Sequence, residues 1–318
     1  MKITTVVPAY KPKYLLELLH SLLHQTVKPH KVIFSDDSAD QAFSQMLLSP
    51  PLAAAVCSLD ISVVAGPRAG ALANWRHALQ TYNGGTEFFH MMCDDDVIYP
   101  NFYERHLQAH AMGDFGVTVS RRWTANEAGQ PVRDLPVPAA VAGGANALIK
   151  LEPGVLFYAT CARGTNWLGE VSNALYRADQ AGLISDPQVD GISYHWLEDI
   201  GSFLASSLTR PVCWINDHLG YFRTSSGQTS QQADGRPIKL AHLAYIALSV
   251  IGRNGGHLSE EHLRFCVQAV GQSVLQHYGR TEDMQPACAA IRDWQAGAPG
   301  AEVRFLAMWQ AYAGYPEV

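Results

Sequence analysis

Phe88-Phe89-His90-Met91-Met92-Cys93-Asp94-Asp95-Asp96-Val97-Ile98-Tyr99-Pro100 is an apolar run that ends in three consecutive carboxylates and then a proline. Three adjacent anions repel one another, so something must compensate them. A solvated loop after a strand would do so with water. The sharper reading is a divalent-metal site at the carboxyl end of a buried strand. Hard cations such as Mg²⁺ or Mn²⁺ take carboxylate oxygens, usually one or two from the protein with the rest from water and substrate phosphates. In open α/β sheets that end of the strand is also where ligands bind. The stretch therefore predicts an α/β sheet whose edge holds a nucleotide diphosphate.

The rest of the composition bounds this reading. A chain of 318 residues is long enough to bury a full core. Hydrophobic residues make up 47% and charged residues 16%, which places it among globular proteins and not disordered ones. A net charge of −6 offers no electrostatic footprint for nucleic acid, so that partner is not expected. Residues 1–7 run straight into a strand without a signal-peptide h-region. No stretch reaches the ~18 uncharged apolar residues of a transmembrane helix. The expectation is a cytoplasmic protein, with peripheral association at the inner face of the membrane as the alternative. Six scattered cysteines with no CxxC fit reduced thiols.

Upstream of the acidic stretch the chain alternates strands and helices. Ile3 to Val7 is a β-branched run closed by Pro8-Ala9-Tyr10, a buried strand and its exit loop. Leu15, Leu18, Leu19, Leu22 and Leu23 recur at helical spacing, which predicts a helix over 14–25. Residues 31–35 are the next strand, ending in Asp36-Asp37-Ser38. Strand, helix, strand at this spacing is a βαβ unit with parallel strands. Asp36 and Asp37 cap the following helix, accept hydrogen bonds from a base or ribose, or do both. Residues 61–65 make a third strand, and Gly66-Pro67-Arg68-Ala69-Gly70 turns into a helix over 71–82. Such a turn could cradle phosphate, although it is neither a Walker A nor a GxGxxG pattern. Residues 87–93 form the fourth strand, so four polar loops reach one edge.

Four segments in order carry a resemblance: Thr5-Val6-Val7-Pro8-Ala9-Tyr10, Phe34-Ser35-Asp36-Asp37-Ser38, the Arg68…Asn74-Trp75 helix start, and Asp94-Asp95-Asp96 with Pro100. Together they resemble the nucleotide-binding stations of a family 2 glycosyltransferase. The resemblance covers about residues 1–230 and implies a GT-A fold: α/β, Rossmann-like, with a mostly parallel sheet flanked by helices. It implies that Pro8, Ala9 and Tyr10 line the base pocket, that Asp37 meets base or ribose, and that Arg68 and Asn74 belong to the same donor site. It also implies an Asp-x-Asp metal motif binding Mn²⁺ or Mg²⁺. Counting back five from Pro100 puts Asp95 at the last position of that motif and Cys93 at its first. Asp95 is then the expected metal ligand and Asp94 reaches the ribose or a metal-bound water. The literal Asp94-x-Asp96 register remains open, which keeps Asp96 as a metal candidate.

Farther along, a helix over 102–112 precedes a strand over 116–120, and Arg121-Arg122-Trp123 either meets an anionic acceptor or bounds a loop. His106 and His110, like His20 and His24, are four apart on a helix, but without a third ligand they read as surface or core histidines and not as a zinc site. Residues 124–155, rich in Ala, Gly and Pro, read as a long loop over the sheet, of the kind that often forms a lid or specificity element. Residues 171–177 read as a short strand and 186–190 as a polar turn. Trp196-Leu197-Glu198-Asp199 then opens an apolar helix. The helix macrodipole alone accounts for acids there. The resemblance instead implies that Asp199 is the catalytic base and that Trp196 and Glu198 contact substrate. After a strand over 212–216, Leu219…Tyr221-Phe222-Arg223 is similar to a segment whose Arg meets the diphosphate and whose later His completes the metal shell. This chain has Ser225 at that later position, leaving His218, water or phosphate to fill it. Residues 224–232 are polar and suggest a loop closing over donor. From Pro237 the pattern turns helical.

These readings predict a GT-A domain over 1–232, divided into a nucleotide-binding half (1–100) and an acceptor-binding half (101–232), and a helical C-terminal appendage over 233–318. The expected activity is metal-dependent inverting transfer of a sugar from a nucleotide-diphosphate donor, with UDP favoured. The acceptor is a hydroxyl on a saccharide or lipid-linked glycan, in surface polysaccharide synthesis. A catalytically silent nucleotide-sugar or glycan scaffold is the alternative. A sugar nucleotidyltransferase ranks below it, because Pro8-Ala9-Tyr10-Lys11-Pro12-Lys13 lacks a Gly-rich signature.

Overall fold

The computed structural model describes residues 1–142, 147–225 and 235–314. Its first half runs β1 (Ile3–Ala9), α1 (Leu15–Leu23), β2 (Lys31–Asp36), α2 (Ala42–Leu47), α3 (Pro50–Ala55), β3 (Ile61–Ala65), α4 (Ala71–Tyr82), β4 (Phe88–Met91), β5 (Val97–Ile98) and α5 (Phe102–Met112). The middle adds β6 (Val117–Ala125), β7 (Pro131–Asp134), α6 (Ala139–Ala142), β8 (Leu148–Leu151), α7 (Pro153–Cys161), β9 (Ala174–Arg177) and α8 (Gly182–Ser185). A hairpin of β10 (Gln188–Val189) and β11 (Ile192–Ser193) then leads to α9 (Glu198–Ser207) and β12 (Val212–Arg223). Four helices close the chain: α10 (Arg236–Asn254), α11 (Glu260–Tyr278), α12 (Gln285–Gln295) and α13 (Ala301–Ala313).

The main sheet has the order β3-β2-β1-β4-β9-β6-β12-β5, with β7 paired to β6 and β8 to β12. Strands β1 to β4 are mutually parallel, as are β6 and β12, while β9 runs antiparallel between the two groups. Strand β1 is buried at all seven positions, as a central strand covered on both faces must be. Its side chains alternate accordingly: Ile3, Val7 and Ala9 join a core beneath α1, α2 and α5, whereas Val6 joins one beneath α4, α7 and α9. The second core also takes Leu243, Ile246, Val250, Phe305 and Trp309 from the C-terminal helices, so these pack on the same apolar body as the sheet. No helix among the described residues is long and apolar enough to cross a membrane.

The α/β architecture and mostly parallel sheet agree with expectation, and four local readings need correction. The long loop expected over 124–155 is instead the end of β6, strands β7 and β8, and the helices α6 and α7. β7 pairs with the edge of β6 through its backbone while three of its four residues face solvent, so it has no apolar alternation to read. The strand expected over 212–216 continues to Arg223 through two register shifts against β6, where irregular pairing breaks its period of two. The polar turn at 186–190 belongs to the β10–β11 hairpin. Asp190 and Gly191 at φ 49° and 76° form its tight turn, an Asp-Gly signal that the sequence does offer. Residues 171–173 are a 3₁₀ turn before β9, closed by reciprocal hydrogen bonds between Glu170 and Asn173. The loop expected to close over donor at 224–232 lies mostly outside the described residues.

Candidate active site

The carboxyl ends of β1, β2 and β3 bring the first three stations together. Pro8 and Ala9 are buried within β1, while Tyr10 emerges 63% exposed. Asp37 is tied back by its N–H to the Ala9 carbonyl at 2.8 Å, and its Oδ1 accepts the Arg68 N–H. Arg68 itself is exposed at φ 55°. Gly66 is required here: a Cβ would lie 2.6 Å from Asp37 Oδ1 and 3.0 Å from the Asp36 carbonyl. Asp36 turns away to the N–H and hydroxyl groups of Ser38 and Ser44. Burial opposes its ionisation, yet those hydrogen bonds hold its carboxyl below the usual range. Asn74 is buried against β2, accepting from the Ser35 hydroxyl at 2.5 Å and donating to the Ser35 carbonyl at 3.1 Å. It locks α4 onto the sheet.

The three carboxylates after β4 are buried and individually engaged. Asp94 Oδ2 accepts the N–H groups of Tyr10 and Lys11 at 2.5 Å each, and burial still pushes its pKa up to about 6. Asp95 carries the Lys11 ammonium. Asp96 accepts the Arg223 N–H at 3.1 Å, while its Oδ2 is buried with no hydrogen-bond partner among the described residues. Burial and the Asp95 charge hold that carboxyl well above the usual range. Arg223 is fully buried and clamps the loop: its Nε donates to the Asp95 carbonyl at 2.8 Å, Nη1 to the Glu127 carbonyl at 2.7 Å, and Nη2 to Glu17. This guanidinium is committed to protein partners, whereas the resemblance would aim it at a diphosphate. His218 pairs with Asp134 at 2.9 Å and stacks on Trp123.

Opposite this loop, α9 begins with Glu198 and Asp199 in its first turn. Asp199 Oδ1 accepts the Ile200 N–H at 2.7 Å, and Oδ2 receives Asn166 Nδ2 at 3.4 Å. Burial, then the charges of Glu170 and Glu198, push its pKa up to about 7. Glu198 pairs with His195 and accepts the Trp196 N–H at 3.0 Å, at a turn where Trp196 adopts φ 78°. Glu170 also raises Asp96, so it stands electrostatically between the metal candidates and the base candidate. It is held by Arg122, whose Nε and Nη2 donate at 2.7 and 2.5 Å. Asp96, Arg122, Glu170, Ser172, Tyr221 and Phe222 line a cavity there.

Residues 4–155 match the family model for glycosyl transferase family 2. Over that stretch the chain belongs to glycosyl transferase family 2. No curated protein matches the sequence. Among solved structures, this glycosyltransferase is similar to S. aureus TarS 1-349 in complex with UDP-GlcNAc, with a TM-score of 0.61 at 15% identity over 98% of this chain and 90% of that one. The same TarS segment in complex with UDP gives 0.56 at 14% identity, with coverage of 98% and 90%. The longer TarS chain gives 0.57 at 16% identity, 55% of its length being covered. The likeness shows the GT-A fold.

Membership of family 2 implies a divalent cation, and the donor set here is compatible with one only in a sparse form. Asp94 and Asp96 each spend an oxygen on backbone N–H groups, and no group of three or more His, Cys, Asp or Glu that could hold a metal occurs among the described residues. Asp95, whose cation partner is a displaceable ammonium, fits as a protein ligand if donor phosphates complete the shell. Of the two histidine pairs, His106 bonds Thr118 at 2.7 Å and His110 the Leu175 carbonyl at 3.2 Å, both buried. Sequence reasoning missed Lys11, Glu170 and Asn166, and left Arg122 undecided. Only Glu170 left a trace, in its capping-box spacing to Asn173.

Proposed function

We propose that this glycosyltransferase moves a sugar from a nucleotide-diphosphate donor to a hydroxyl acceptor with inversion, and that Asp199 is its base. The observation that carries the reading is the Asp199 carboxyl at the mouth of α9, raised to about 7. A general base works best when its pKa lies near the working pH. The acceptor oxygen attacks the anomeric carbon as its proton passes to Asp199. The bond to the diphosphate breaks in line, and its electron pair leaves with the nucleotide. Glu198, braced by His195, orients the base turn and meets donor-sugar hydroxyls together with Trp196.

Tyr10, Asp37 and Arg68 meet the base and ribose over the floor made by Pro8 and Ala9, and Asn74 keeps α4 in place beneath them. Asp95, with Asp96 beside it, would hold Mn²⁺ or Mg²⁺, and Asp94 keeps the loop after β1 against them. When bound, such an ion supplies positive charge to the departing diphosphate. UDP is the favoured nucleotide on family grounds and because the similar TarS structures are complexes with UDP-GlcNAc and UDP. Residues 1–100 would serve the donor and 101–232 the acceptor, with the helices over 233–318 bracing the latter. A saccharide or lipid-linked glycan acceptor, met in the cytoplasm or at the inner face of the membrane, completes the reading.

The deciding experiment is calorimetric titration of UDP, dTDP and GDP with Mn²⁺ and then with EDTA, followed by a transfer assay with UDP-GlcNAc. Metal-dependent binding of one nucleotide is the expected result. Binding of none under either condition would discard the donor site and favour a scaffold.

A further inference from the structure

The three carboxylates after β4 are not compensated alike. Asp94 is held by two backbone N–H groups at 2.5 Å and Asp96 by one at 3.1 Å, donors that cannot leave. The cation on Asp95 is the ammonium of Lys11, whose side chain is 32% exposed against 6% for the Asp95 side chain. The root of that side chain is pinned. Its own N–H is one of the two donors on Asp94, and Pro12 opens a short 3₁₀ helix immediately after it. A four-carbon stem therefore pivots on a fixed base, with its tip at the rim of the acid loop.

We propose that Lys11 is a resident counter-cation that couples metal binding to donor binding. Its ammonium holds Asp95 in the donor-free protein, yields it to a divalent cation, and then pairs with the diphosphate of the donor. This deepens the donor reading above and rests on it. A divalent cation arriving alone must drive the ammonium off a buried carboxylate and into water, which lowers its affinity. When a nucleoside diphosphate arrives with it, the displaced ammonium gains a phosphate partner through a charge-assisted hydrogen bond. Metal and nucleotide then raise one another's affinity by the same factor. Lysine suits the task, being a hydrated, rotatable point charge, whereas a guanidinium fork would grip the carboxylate bidentately.

The test titrates Mn²⁺ alone, and then UDP at saturating Mn²⁺, into the unmodified protein, Lys11→Gln and Lys11→Arg, with circular dichroism to verify folding. Lys11→Gln is expected to bind Mn²⁺ alone about tenfold more tightly and UDP about tenfold more weakly, near the lower end of what one hydrogen bond to a charged group contributes. Lys11→Arg, which keeps the charge, is expected to retain weak Mn²⁺ binding without nucleotide. Unchanged Mn²⁺ affinity in folded Lys11→Gln would overturn the exchange at Asp95. Tighter Mn²⁺ with undiminished UDP affinity would overturn the diphosphate contact. Absence of UDP binding to the unmodified protein strikes the donor reading instead, and the Mn²⁺-only titration still judges Lys11.

Discussion

Asp199 accepts the Ile200 N–H at 2.7 Å while burial, Glu170 and Glu198 raise its pKa to about 7. As a base it must be ionised, so kcat should climb with pH along a limb centred near 7 and flatten above it. A rate that is level from pH 5 to 8 would contradict the assignment. Asp199→Asn should lose roughly two to four orders of magnitude in transfer while keeping nucleotide affinity. The same residue predicts a stability change of definite sign. Its folded pKa lies above its unfolded value, so its favourable contribution is present below about pH 4 and is lost as pH rises through about 7. Asp199→Asn removes that loss. The variant should therefore be more stable than the unmodified protein at pH 8 by on the order of 2 kcal/mol, and so melt later, with the difference shrinking towards pH 5. Thermal melts at the two pH values, without metal, read this independently of turnover.

Between elements, the donor edge depends on how closely β2 and β3 deliver their loops. Gly66 follows β3 with its N–H on the Asp36 carbonyl at 2.7 Å, and a Cβ there would meet Asp37 Oδ1 at 2.6 Å. Gly66→Ala is expected to cost about 1–3 kcal/mol in denaturant unfolding, as overpacking does, and to weaken nucleotide binding because Asp37 must move. Equal nucleotide affinity in the two proteins would remove Asp37 from the donor site. The elements that build this edge were legible because local pattern and burial agree: Val6, Val7, Val32, Ile33 and Phe34 sit in strands closed by polar residues. β7 was not legible, since its exposed residues owe their extended form to β6 and not to their own side chains. Arg122 and Glu170 stand 48 positions apart, and Lys11 and Asp95 84, so no window along the chain could pair them.

Across the whole molecule, α13 reaches the turn that precedes Asp199 through one chain of hydrogen bonds. Trp309 on α13, 1% exposed, donates its Nε1–H to the Ser193 carbonyl at 2.7 Å. The Ser193 hydroxyl accepts the His195 N–H at 3.0 Å, and His195 pairs with Glu198 beside Asp199. The helical periodicity after residue 237 signals helices, read in the sequence as an appendage, but a single indole nitrogen carries no periodic signal. Trp309→Phe keeps most of the buried ring and deletes the donor, leaving the Ser193 carbonyl unsatisfied at a cost of about 1–3 kcal/mol. If the C-terminal helices only complete the core, this variant should melt earlier and, once folded, turn over at the unmodified rate. If they brace the base turn, kcat should fall by about tenfold below the melting range while the UDP affinity holds, because the donor edge lies on β1, β2 and β4. We expect the second outcome. Trp309→Ala cannot separate the two, since removing a buried indole costs about 3–5 kcal/mol through the cavity alone.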